Sequence, residues 1–115
     1  MIKRIDKPWG KEEVWADTEN YIGKILTILP RQMLSLQYHK YKQETIYVLS
    51  GVLRYWNSEN NKEYQDLKAG SVVQIEPNQL HRFGCATDES TILIEVSTQH
   101  KGDIVRLKDI YNRLK

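Results

Sequence analysis

The chain has 115 residues, 40% hydrophobic and 28% charged, which suits one folded domain around one core and argues against a disordered chain. Seventeen Lys and Arg against fifteen Asp and Glu leave a formal charge of +2, too balanced for nucleic acid to be the main ligand. The one cysteine, Cys85, permits no internal disulfide, no apolar run approaches a membrane span, and the N-terminus lacks a signal-peptide core, so a cytoplasmic protein with no membrane partner is expected.

Three prolines and six glycines cut the chain into short segments that alternate with period two. Residues 1–20 read as an N-terminal arm pinned by an ordered turn at Pro8-Trp9-Gly10. Strands are expected at 21–29, 33–38 and 44–49, after which Ser50-Gly51 turns the chain into a strand at 52–56. A polar loop, Asn57 to Asn61, leads to a short strand near 63–67, then to strands at 71–75, 80–83 and 91–97. In residues 102–115, Ile104, Leu107, Ile110, Tyr111 and Leu114 fall at helical spacing behind a capping Asp103, which predicts a short C-terminal helix. Many short strands with turns between them, and no strand–helix alternation, indicate an all-β sandwich or small barrel over 21–98, in a single domain of 1–115.

The stretch SLQYHKYKQE carries the chemistry. On a strand, Ser35, Gln37 and His39 share one face, and a bend after His39 lets Glu44 return towards it. An antiparallel barrel would bring His81 beside them. Two imidazoles, a carboxylate and an amide oxygen together suit Zn, Mn, Fe or Ni, and three strong ligands leave positions open for substrate.

The spacing Gln37-x-His39-x4-Glu44-x6-Gly51 resembles the first signature of the cupin superfamily, with Gln37 where the family usually has its first histidine. Gly70-x6-Pro77-x3-His81 resembles the second, with its usual glycine after the proline missing and Cys85 in place of the closing asparagine. The ordered phrases KPWGKEEVW, LSLQYHKYKQETIYVLSG, IEPNQLHRF, ILIEVS and GDIVRLKDIYNR are similar to the cupin domain of type II mannose-6-phosphate isomerases, which in many bacteria ends a larger mannose-1-phosphate guanylyltransferase. That resemblance implies a small jelly roll. It also implies a divalent metal, zinc first with Mn, Co, Ni or Fe as alternatives, held by Gln37, His39, Glu44 and His81. The chain departs from the family pattern at Lys40, Tyr41 and Lys42, at the single Asp103 where an acidic pair is usual, and at Asn112, where glycine is preferred.

The implied reaction interconverts mannose 6-phosphate and fructose 6-phosphate by moving a proton between C1 and C2. It needs a charge stabiliser for the oxygens, a base and a phosphate holder. Arg106, in the IVR segment, is the expected phosphate contact with Lys42 second, and Glu95 is the expected base, with Glu44 as substitute if it is not a ligand. A homodimer and a separate guanylyltransferase partner are expected on the same resemblance. The alternatives are a non-catalytic cupin that binds a sugar or nucleotide sugar, another small cupin sugar isomerase, metal-free or not, and a metal-dependent cupin dioxygenase. Gln37 in place of histidine argues against the dioxygenase.

Overall fold

The computed structural model describes residues 2–100 and 102–114, which form eleven strands and no helix. In chain order these are β1 (Lys3–Lys7), β2 (Gly10–Asp17), β3 (Tyr21–Ile28), β4 (Leu36–Tyr38), β5 (Glu44–Ser50), β6 (Val52–Trp56), β7 (Gln65–Lys68), β8 (Val72–Ile75), β9 (Arg82–Gly84), β10 (Thr91–Thr98) and β11 (Val105–Lys108). A six-stranded sheet runs β1-β2-β3-β10-β5-β8, and a three-stranded sheet, β7-β6-β9, packs against it. The short pair β11-β4 completes the roll. No helix among the described residues is long and apolar enough to cross a membrane.

Alternation explains the layering. Ile46 and Val48 of β5, Leu93 of β10, Leu26 and Ile28 of β3 and Ile75 of β8 point inward to meet Leu53, Tyr55 and Phe83 of the smaller sheet. Each aliphatic side chain buried in this way contributes about 1.5–3 kcal/mol. The same inward rows turn polar at one end. β5 begins its inward row with Glu44, and antiparallel pairing sets Ser97 opposite Glu44 and Glu95 opposite Ile46. One end of the roll is therefore closed by apolar packing, and the other is lined by buried charge.

The N-terminal arm is a strand hairpin that widens the large sheet. Its alternation is masked by charge, since Lys11 pairs with Glu13 and Lys24 with Glu12 on half-buried faces. Trp9 in the hairpin turn is buried in the core, and the turn is fixed by Gly10. A Cβ at Gly10 would lie 1.9 Å from the Thr27 carbonyl oxygen. Gly10→Ala is expected to cost about 2 kcal/mol or more, read as a lowered midpoint in urea. A variant as stable as the wild type would show that the hairpin shifts freely.

The predicted C-terminal helix is corrected. Residues 105–108 form β11, which pairs Val105 with Tyr38 and Arg106 with Gln37. A helix this short gains little from its own hydrogen bonds, whereas the open edge of β4 offers backbone partners at once. The apolar stripe that suggested a helix is not gathered on one buried face, because Leu107, Ile110 and Leu114 are exposed. Asn112, at φ 61°, takes a left-handed conformation that ends any helical run, and residue 115 of the predicted span lies outside the described residues. Asp103 does not cap a helix; its carboxylate is committed elsewhere.

Candidate functional site

Backbone pairing brings the two histidines together. Gln37 and His81 exchange both main-chain hydrogen bonds, at 3.0 and 2.9 Å, and the Asn78 N–H donates to the His39 carbonyl at 2.6 Å. The two rings consequently sit with centroids 5.4 Å apart. His39 Nδ1 lies 2.6 Å from the Asp103 carbonyl oxygen, and His81 Nδ1 lies 3.0 Å from that of Gln79. A carbonyl only accepts, so each Nδ1 carries a proton, and in the neutral ring it is Nε2 that offers the lone pair. Neither Nε2 has a hydrogen-bond partner, although both rings are buried.

Glu44 meets those lone pairs. Its Oε1 is 3.4 Å from His81 Nε2 and its Oε2 is 3.9 Å from His39 Nε2. With both rings neutral, two ring nitrogens face a carboxylate with no proton to share among them. Left alone, such buried acceptors are costly. A cation between them satisfies all three at once, and imidazole N–H groups anchored to backbone carbonyls are the usual outer support of such a centre. The ligand atoms of His39, Glu44 and His81 lie within 4.8 Å of one another, so these residues could hold a metal ion. Gln37 is buried next to them, with its Oε1 accepting the Ser35 hydroxyl at 2.6 Å.

Burial, reinforced by the positive charge of Lys42, lowers the His39 pKa to about 4, which keeps its ring neutral and able to bind metal. The unfolded chain takes up that proton near pH 6.5, so between pH 6.5 and 4 it holds more protons than the folded chain and stability falls with pH. Chelator-treated protein is expected to lose about 3 kcal/mol across that window relative to a His39→Gln variant. Parallel denaturation curves for the two proteins from pH 7 to 4 would remove His39 as the source.

A buried ion cluster adjoins the triad. Lys42 Nζ is 3.0 Å from Glu44 Oε2 and 3.0 Å from Glu95 Oε2. Its contact with Glu95 is a directed hydrogen bond, whereas that with Glu44 is an ion pair. Burial opposes the ammonium charge, but the Glu95 and Glu44 carboxylates outweigh it and hold the Lys42 pKa above its ordinary value. For Glu95, burial first and the Glu44 charge second push the pKa upward against the pull of Lys42. These groups open onto a cavity of about 300 Å³, also lined by Lys24, Asp103 and Arg106. Arg106 Nε is buried with no hydrogen-bond partner, and Lys24 is paired with Glu12 at 3.1 Å.

Residues 24–97 match the family model described as the cupin domain. The chain belongs to the cupin family. This cupin is 30% identical over 120 residues to the mannose-1-phosphate guanylyltransferase ManC of Salmonella typhimurium, a match covering 99% of the chain and 24% of ManC. It thus spans about a quarter of that relative's length. Its fold is shared by an uncharacterised double-stranded β-helix protein of Klebsiella pneumoniae, with a TM-score of 0.75 at 20% identity, covering 93% of this chain and 86% of that one. A cupin-superfamily sugar phosphate isomerase of Silicibacter pomeroyi gives a TM-score of 0.73 at 17% identity, covering 86% of this chain and 72% of that one.

All seven residues singled out in the sequence lie at this one end of the cupin roll, around or beside the cavity. Two further residues were missed. Lys24 shares strand parity with the inward Ile22, Leu26 and Ile28, and a charge in that row was a readable sign of a polar cavity. Asp103 gave no such sign, because its partners lie more than sixty residues away.

Proposed function

We propose that this cupin is a metal-dependent aldose–ketose isomerase that interconverts mannose 6-phosphate and fructose 6-phosphate. The observation that carries the proposal is the convergence of His39, Glu44 and His81 beside a cavity that a buried carboxylate of raised pKa, Glu95, also lines. The resemblance to type II mannose-6-phosphate isomerases supports the choice of sugar, as does the similarity to a guanylyltransferase that acts on mannose 1-phosphate. The sugar phosphate isomerase among the structural neighbours supports the reaction class.

His39, Glu44 and His81 would hold a divalent cation, zinc first, with Gln37 as a weaker fourth donor once its amide turns from Ser35. Bound there, the cation supplies Lewis-acid polarisation of the sugar C1 and C2 oxygens. Glu95 takes the proton from C2 and returns it to C1, while the O2 hydroxyl proton passes to O1, so that the C1 carbonyl becomes a hydroxyl and the C2 hydroxyl a carbonyl. Burial brings its pKa up towards working pH, where a base that accepts and then releases a proton contributes about 10²–10⁴ in rate. Lys42 keeps Glu95 aimed and offers its remaining N–H to a substrate oxygen. Arg106, with an unpaired Nε at the cavity wall, holds the phosphate. Exposed Tyr47, Leu49, Val72 and Val96 on the outer face of the large sheet suit the expected homodimer.

The test is a coupled assay for fructose 6-phosphate. Chelated protein is expected to be inactive, and activity is expected to return on addition of Zn, Mn, Co or Ni. Tight binding of mannose 6-phosphate without turnover under every metal would replace the isomerase by the sugar-binding reading.

A further inference from the structure

Asp103 is held by contacts that have no place in the scheme above. Its carboxylate accepts three consecutive main-chain N–H groups, those of Lys40 at 3.0 Å, Tyr41 at 2.7 Å and Lys42 at 3.0 Å. Its own main-chain carbonyl accepts the His39 Nδ1 proton at 2.6 Å. One residue thus grips four successive positions, 39 to 42, which run from the first histidine of the triad to the ammonium that pairs Glu44 with Glu95. Three converging N–H groups form a small anion-binding concavity, and a carboxylate brought from the far end of the chain fills it. Desolvation works against the negative charge, yet those three donors keep the Asp103 carboxyl below the usual range, so it stays ionised and gripping at neutral pH.

The chain on either side explains how Asp103 is delivered. Gly102 turns with φ 75°, and Val105 and Arg106 are then zipped onto β4 as β11. The C-terminal segment is therefore tied to the ligand-bearing stretch at two points, the β4 edge and the 40–42 loop. With the side chain anchored, the Asp103 carbonyl cannot drift from the His39 ring.

We propose that Asp103 is a positioning residue for the metal centre: its carboxylate ties residues 40–42 to the C-terminal segment so that its carbonyl sets the tautomer and direction of His39 and the reach of Lys42. This rests on the reading of His39, Glu44 and His81 as metal ligands. The Asp103 carboxylate is taken up by main-chain donors and is not one of the triad's ligand atoms. It acts through His39 and Lys42, as supports of ligating histidines commonly do.

The experiment compares wild type with Asp103→Asn and Asp103→Ala in two measurements. The first is nitrogen-detected NMR of the histidine rings and amide exchange in chelated protein. Wild type is expected to show His39 as a single Nδ1–H tautomer with slow exchange at Lys40, Tyr41 and Lys42. Asp103→Ala is expected to mix the tautomers and release all three amides, and Asp103→Asn, which keeps one acceptor oxygen, to fall between. The second is zinc affinity by competition with a chromophoric chelator, expected to drop roughly 10–100-fold in Asp103→Ala. An Asp103→Ala protein that retains one His39 tautomer and protected amides, or zinc affinity within twofold of wild type, overturns the proposal. If wild type binds none of Zn, Mn, Co, Ni or Fe, the isomerase reading fails, and the tautomer and exchange data still decide whether Asp103 positions His39 and residues 40–42.

Discussion

Replacing His81 by alanine is expected to reduce zinc affinity by at least about 100-fold and to abolish isomerisation, with little change in fold. The affinity figure follows from what weaker changes do, since removing only the outer support of a ligand costs roughly 10–100-fold. Removing the ligand itself should cost no less. His81 is the cleanest member of the triad to remove. It is buried with its Nε2 unpaired, and its main-chain pairing with Gln37 does not need the imidazole. The ring packs against Phe83 with centroids 5.3 Å apart, so the variant also leaves a cavity beside the core, which the melt registers. The check is metal content by mass spectrometry after dialysis against zinc, beside a thermal melt of the chelated protein. Unchanged stoichiometry would take His81 out of the ligand set. Loss of zinc with a collapsed melt would indicate a folding defect, and His81→Gln would then be the informative variant.

The second large effect concerns stability. Lys42→Met is expected to destabilise the chelated protein by about 3–5 kcal/mol, because it strands two buried carboxylates beside each other. Lys42 Nζ sits 3.0 Å from an oxygen of each, and its side chain is only 12% exposed. Without it, Glu95 and Glu44 repel, and one of them must take up a proton in order to stay buried. Adding Glu95→Gln to Lys42→Met should recover much of the loss, since a neutral amide no longer opposes Glu44. A double-mutant cycle in urea measures this directly. Additive losses in the double variant would mean that Lys42 and Glu95 do not act as a pair. An excess of zinc should also rescue Lys42→Met in part, since a cation on Glu44 replaces some of the lost positive charge.

Much of the fold could be read along the chain because the strands of the roll bury one face and expose the other. The inward rows Glu44-Ile46-Val48 and Leu93-Glu95-Ser97 alternate as the residues predict, and each acidic residue in such a row marked the polar end. Gln37, His39 and Glu44 stood out because they are close in sequence, whereas the full ligand set with His81 came from the resemblance to the cupin signatures, since the Gln37–His81 pairing joins distant segments. What could not be read depended on distant partners. Residues 104–107 fit a helix and a strand about equally by periodicity, and the free edge of β4 decided between them. The 3–17 hairpin carries charge at positions that pairing half-buries, so its alternation did not register as apolar against polar. The grip of Asp103 on residues 40–42 is invisible to any local pattern, because it joins segments that meet only after the sheets have formed.

The account stands on the convergence of His39, Glu44 and His81 on one cation. A crystal grown with zinc and measured at the zinc absorption edge tests this directly. The expected result is one strong anomalous peak per chain at about 2.0–2.2 Å from His39 Nε2, His81 Nε2 and a Glu44 oxygen. A peak elsewhere on the molecule, or no peak with the two rings still facing the Glu44 carboxylate, would contradict it.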